Sequence, residues 1–435
     1  MRVRRGLTAS IAGLVVASGS VLAFQPSGVA AVACAPVVWA EGGTYTAGGQ
    51  VTYQSALYQA LVTHTAHVGA GWNPASTPSL WTSLGACTGG SSPSPSLSVS
   101  ASVSASPSVS ASAGPSTPTG CGLRGRPAGK VLQGYWENWD GASNGVHPGL
   151  GWIPMNDSRI TQHGYNVLMA AFPVIRSDGT VLWEDGMDAG VKVGAPADVC
   201  AAKAQGATVL MSIGGATAGI DLSSSAVADR FVATIVPILK RYHFDGIDID
   251  IETGLTGSGD INTLSTSQAN LIRIIDGVLA AMPSHFGLTM APETAYVTGG
   301  SVVYGSIWGS YLPIIKKYLD NGRLWWLNMQ YYNGSMYGCA GDSYAAGTVQ
   351  GFTVQTQCLA GGLTIQGTTI RIPLDKQVPG LPAQVGAGGG HMTPALVAQA
   401  YRGVPGIKGL MTWSINWDGS KGWTFGDNVR TLQGR

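Results

Sequence analysis

Charge is scarce in this chain. Lysine, arginine, aspartate and glutamate make up only 11% of its 435 residues, and they nearly cancel, leaving a formal net charge of +1. Such a surface builds no field that would steer a polyanion, so nucleic acid is not an expected partner. Phenylalanine is sparse too, with 7 residues against 13 tryptophans and 15 tyrosines. The aromatic content is weighted toward rings with a polar edge, which suit stacking on flat ligands as well as core packing. Cys-x-x-Cys and Cys-His spacings are missing, so neither a metal nor another cofactor is expected.

A clean apolar run long enough to cross a membrane is also missing. The stretch from Leu7 to Phe24 is diluted by serine and glycine. Arg2, Arg4 and Arg5 precede it, and Ala31-Val32-Ala33 follows it as a small-x-small cleavage site. Residues 1–33 therefore read as an export signal, with a secreted, extracellular product that has no membrane contact after cleavage. Six cysteines remain: Cys34, Cys87, Cys121, Cys200, Cys339 and Cys358. An even number in an exported chain favours disulfides. Cys34 and Cys87 bracket one segment, Cys339 and Cys358 share one stretch between predicted strands, and Cys121 with Cys200 is the remaining pair.

Residues 88–120 are Ser, Pro, Ala, Val, Gly and Thr apart from Leu97, with no charge until the next cysteine. That composition cannot bury enough apolar surface to offset chain entropy, so a linker is expected. It divides a short module, 34–87, from a large domain, 121–435. The module reads as all-β, from the β-prone runs around Val51–Tyr53 and Ala56–Val62. The large domain alternates β runs with helical stretches. The runs are Val131–Tyr135, Val167–Phe172, Thr208–Ile213, Gly246–Asp250, Leu288–Ala291, Trp326–Gln330, Thr369–Ile372 and Gly409–Trp413. Ala226–Tyr242 and Thr266–Met282 carry helical periodicity. This alternation fits an α/β fold of the (β/α)8 TIM-barrel type, with a doubly wound sheet as the rival on periodicity alone.

The informative segment is Asp245-Gly246-Ile247-Asp248-Ile249-Asp250-Ile251-Glu252. On a strand, alternate side chains share a face, so Asp248, Asp250 and Glu252 align while the isoleucines face the other way. Burying three neighbouring carboxylates costs several kcal/mol each unless protons and hydrogen bonds are shared. A calcium loop would need glycine and polar residues where isoleucines stand. A solvated acidic face would suit an edge strand. Glu252 falls where the strand should end, which is where barrel enzymes place catalytic groups.

This row resembles the Asp-x-x-Asp-x-Asp-x-Glu signature of family 18 glycoside hydrolases, the secreted bacterial type without an α+β insertion. Ser212-Ile213-Gly214-Gly215, Gly134-Tyr135-Trp136, Met329-Gln330-Tyr331-Tyr332-Asn333 and Trp413 are similar to the family's other strand motifs. The resemblance implies a chitinase that cleaves β-1,4-linked N-acetylglucosamine with retention, the substrate's acetamido group acting as nucleophile. It implies Glu252 as proton donor and Asp250 as partner of the acetamide. Asp248 would share a proton with Asp250, and Tyr332 would steady the acetamido oxygen. Gln330, Asn333, Tyr135 and Met290 would line the site, Trp413 would form its floor, and Glu293 has no assigned role. Only about 35 residues separate Ile372 from Gly409, close to an ordinary crossover. An open groove and endo cleavage are therefore expected.

The short module resembles carbohydrate-binding families 5 and 12. Trp72 is its first candidate for touching chitin and Trp39 its second, while Tyr53, Tyr58 and Trp81 are expected in its core. The chain is expected to act as a monomer. The rival readings are an N-glycan-trimming endo-N-acetylglucosaminidase and a non-catalytic chitin-binding lectin.

Overall fold

The computed structural model describes residues 32–34, 37–40, 43–46, 48–60, 64–66, 73–75, 81–88, 121–141, 147, 150–216 and 219–435. Most of the segment expected to be an export signal, residues 89–120 of the expected linker, and Trp72 lie outside them. The chain divides into two compact units, parted within the linker. No helix among the described residues is long and apolar enough to cross a membrane.

The first unit is a small sheet. Its strands run in the order Val32–Ala33, Trp81–Thr88, Ala56–Ala60, Gln50–Tyr53. The last two form a hairpin through Gln54 and Ser55, both at positive φ (46° and 60°). That handedness matches the twist of the strands they join. Val51, Ala60 and Trp81 form a thin core, with Trp39, Tyr45 and Tyr58 packed against it. A disulfide joins Cys34 to Cys87, the kind of staple a core this small needs.

The second unit is a parallel barrel. Its strands are β1 (Val131–Glu137), β2 (Val167–Ala171), β3 (Thr208–Gly214), β4 (Gly246–Asp250), β5 (Gly287–Met290), β6 (Trp326–Leu327), β7 (Gly380–Pro382) and β8 (Gly409–Trp413). The sheet order is β6-β5-β4-β3-β2-β1-β8-β7. Parallel bridges from Leu327 to Gln377 and from Gln330 to Gly380 close the remaining seam.

Two apolar layers follow from strand alternation. Ile247, Ile249 and Ile251 face outward with Leu168, Met211 and Leu288 onto the helices. Val131, Tyr135, Val167, Met169, Leu210 and Met411 fill the interior. Helix α1 (Ser225–Arg241) starts where Ser224 accepts a bond from the Val227 N–H, and it buries Val227, Phe231, Ile235 and Leu239. Helix α2 (Thr266–Ala281) starts with a reciprocal Ser265–Gln268 capping box and buries Leu271, Ile274, Ile275 and Val278. Disulfides join Cys121 to Cys200 and Cys339 to Cys358.

The seventh strand is not where the sequence suggested. Thr368–Ile370 pairs with Leu363–Ile365 in a hairpin outside the barrel. The barrel strand is Gly380–Pro382, a Gly-Leu-Pro segment with little β signal of its own. The connection from β7 to β8 then runs only from Ala383 to Lys408 and contains one helix, Pro394–Gly403. The sixth strand is also shorter than Trp326–Gln330, with Gln330 held by isolated bridges to Glu293 and Gly380.

Candidate active site

Three carboxylates line the inside of β4 and its C-terminal end. Asp248 and Asp250 are buried, and Glu252 is half-buried just past the strand. The register brings Ser212 of β3 and Thr289 of β5 level with Asp248. Asp248 Oδ2 accepts bonds from the Tyr135 hydroxyl (2.7 Å) and Ser212 Oγ (2.8 Å). Its Oδ1 accepts from Thr289 Oγ1 (2.6 Å) and Asn328 Nδ2 (3.1 Å). Burial raises the Asp248 pKa above the usual carboxylate range, while these four donors pull it down. These four donors hold the Asp248 carboxyl in one orientation, its two oxygens taking two bonds each. Its charge acts on Asp250, one of the causes that raise the Asp250 pKa after burial and the charge of Glu252.

Asp250 is different. Gln330 Nε2 donates to Asp250 Oδ1 and to Glu252 Oε1, each at 2.9 Å, and to the Ala291 carbonyl at 3.1 Å. One amide thus holds two carboxyl groups side by side. Burial, then the charges of Glu252 and Asp248, push the Asp250 pKa well above its ordinary value. Burial also raises Glu252, against the Gln330 bond and helped by the charge of Glu293. Glu293, half-buried beyond β5, is raised by burial. No lysine or arginine among the described residues pairs with any of these acids. Like charges at close range favour keeping at least one proton in the group.

The glycines of the third-strand motif have a geometric reason. A Cβ on Gly214 would stand 2.1 Å from the Asp250 carbonyl oxygen, and one on Gly215 would stand 2.8 Å from the Phe172 ring. Both sit at positive φ (110° and 80°), which admits the backbone against the end of β4.

Tyr332 is buried with its ring in the interior cluster, and the charges of Asp250 and Glu252 act on it. Its neighbour Tyr331 points the other way and bonds Thr356. Trp413 stacks on Phe172 (5.9 Å, 14°) and lies 5.6 Å from Tyr135 and 6.1 Å from Trp139. These rings form an aromatic wall beside the carboxylates.

Several expected residues have other places. Met290 faces the outer helical layer, because alternation along β5 gives the interior to Thr289. Tyr135 is 1% exposed, and its hydroxyl donates to Asp248. Asn333 is exposed at positive φ (63°), and its side chain accepts from the Gly389 N–H at 2.8 Å, pinning the loop after β7. Trp39 packs edge-on to Tyr53 at 5.1 Å, against the core of the small unit. Sequence reasoning missed Thr289 and Asn328, whose signal lay in strand register, and Trp139 and Phe172, which lie past strand ends. The metal-like grouping among the described residues, Cys121, Cys200 and His243, has its two sulfurs joined in a disulfide.

The comparisons agree with this geometry. Residues 131–333 match glycosyl hydrolases family 18, and residues 38–82 match carbohydrate-binding module family 5/12. The chain is 79% identical to Endochitinase 37 of Trichoderma harzianum over 72% of this chain and 93% of that protein. It is 30% identical to Chitinase D of Niallia circulans over 87% of this chain and 88% of that protein. The crystal structure of a family GH18 chitinase from Chromobacterium violaceum shares 30% identity and a TM-score of 0.61, covering 93% of this chain and all of that one. The relatives above 75% identity are fungal rather than of the bacterial type the motifs suggested, and bacterial chitinases match at about 30%. With a barrel, an acid row on its fourth strand and a 79%-identical relative spanning most of the catalytic unit, the chain belongs to family 18 of the glycosyl hydrolases.

Proposed function

We propose that this chain is an endo-acting chitinase in which Glu252 is the general acid and then the general base. The observation that carries the reading is the Gln330 amide holding Asp250 and Glu252 together at the mouth of the barrel. Glu252 has its pKa raised, mainly by burial, which favours the protonated form needed to donate to a glycosidic oxygen. Asp250 then accepts the acetamide N–H of the sugar and stabilises positive charge as the acetamido oxygen attacks the anomeric carbon. Tyr332 lies against the same acids and steadies the acetamido oxygen. The cyclic intermediate opens to water deprotonated by Glu252, with net retention.

The uninterrupted connection from β7 to β8 supports an open groove and cleavage within chains. The family 5/12 match over residues 38–82 supports a chitin-holding role for the small unit. The N-terminal leader pattern and three disulfides support export, with the enzyme working as a single chain. The deciding experiment compares wild type with Glu252→Gln on colloidal chitin. The variant should lose at least about 10³-fold in rate while binding the polymer as before. Hydrolysis at the wild-type rate would refute the assignment. A product series containing only dimers from the first minutes would refute endo cleavage.

A further inference from the structure

We propose that Glu137, His147 and Ser414 form a buried tie that holds Trp139 and Trp413 together as one sugar-stacking wall, and so sets substrate affinity. The inference rests on the chitinase reading and adds positioning residues to it.

All three side chains are fully buried. Glu137 is the last residue of β1, and Ser414 follows the last residue of β8. These two strands are neighbours in the sheet. The Glu137 carboxylate is shared: Oε1 accepts from Ser414 Oγ, and Oε2 lies 2.6 Å from His147 Nε2. The backbone repeats the link. The Glu137 N–H donates to Asn416 Oδ1 at 2.9 Å, and the Trp417 N–H donates to Ser414 Oγ at 3.2 Å. The two strand-end partners, Glu137 and Ser414, lie close in sequence to the aromatic rings of the mouth. Trp413 precedes Ser414, Trp139 comes two residues after Glu137, and their rings lie 6.1 Å apart.

His147 is built into this position. Trp417 packs edge-on to its ring at 6.1 Å. The backbone of Gly141 comes so close that a Cβ there would stand 2.2 Å from Nε2. The charged groups facing the imidazole are Glu137 and, more weakly, Asp140. Burial pushes the imidazole pKa down, but the bond to Glu137 and its charge outweigh this, so the pKa stands above the ordinary histidine value. Removing either partner leaves the other buried and unpaired. A group needed only for stability could be an apolar side chain of the same size. Here the ionic group bridges two strand ends that each carry a wall ring. None of the three residues bonds Asp248, Asp250 or Glu252, so the tie acts on binding and not on proton transfer.

The test uses the full-length enzyme and chitopentaose, with kcat and KM measured across about pH 5 to 9. In the wild type, KM should rise as pH passes the His147 pKa, because the tie loses its cation, and kcat should not follow that transition. His147→Gln should raise KM about fivefold at low pH and abolish the alkaline rise, with kcat within about twofold. If His147→Gln fails to fold, Ser414→Ala removes the β8 half of the tie and should raise KM in the same way. Variants that keep the wild-type KM and its pH dependence overturn the tie alone. A wild type that leaves chitopentaose intact overturns the chitinase reading and the tie with it.

Discussion

The two ends of β4 carry acids in opposite settings. Just before its N-terminal end, buried Asp245 is neutralised: Lys203 Nζ lies 2.7 Å from Oδ1, and the backbone N–H groups of Arg124 and Val209 complete the set at 2.6 and 2.9 Å. At the C-terminal end, Asp250 and Glu252 share one neutral amide and no cation. Only Gly246-Ile247-Asp248-Ile249 separate a closed ion pair from a pair of carboxyl groups with no cation. In a parallel barrel the lower end is free to be optimised for stability, while the upper end holds the strained electrostatics that catalysis uses.

Breaking the lower end should have the largest effect on folding. Lys203→Met leaves Asp245 buried without its cation and should cost about 3–5 kcal/mol in chemical unfolding, with kcat/KM of the folded fraction within about twofold. An unchanged unfolding midpoint would erase the contrast between the ends. At the upper end the sign reverses. Because the native Asp250 pKa is raised, its contribution to stability is fully present below the ordinary aspartate value, near pH 4, and is lost as pH rises through the native value. Asp250→Asn should therefore match wild type in stability near pH 4 and exceed it by about 1 kcal/mol near pH 8, while kcat falls about 10²-fold. Parallel stability curves for the two proteins would show that Asp250 is not the uncompensated group. The smallest effect is expected at Glu293. Removing its charge in Glu293→Gln should lower the Glu252 pKa, moving the alkaline limb of the kcat profile to lower pH with kcat within about threefold. A limb that stays in place would remove Glu293 from the cluster.

The acid row was legible because β4 repeats its alternation three times and no structural strand needs carboxylates inside. Asp248's donors were less so, since Ser212, Thr289 and Asn328 converge through register between strands and not through local spacing. Met290 was misassigned for the same reason: a one-residue shift in parity exchanges inside for outside. The seventh strand hid because its three residues include glycine and proline, while the β-branched Thr368–Ile370 run belongs to a side hairpin. The pairing of Glu137 with His147 depends on the path of a loop, which periodicity does not describe.

All three disulfides close within a unit: Cys34 with Cys87 on one side of the linker, Cys121 with Cys200 and Cys339 with Cys358 on the other. No covalent bridge spans residues 88–120 besides the main chain itself. A single proteolytic nick there would part the two units completely, each keeping its own cross-links intact.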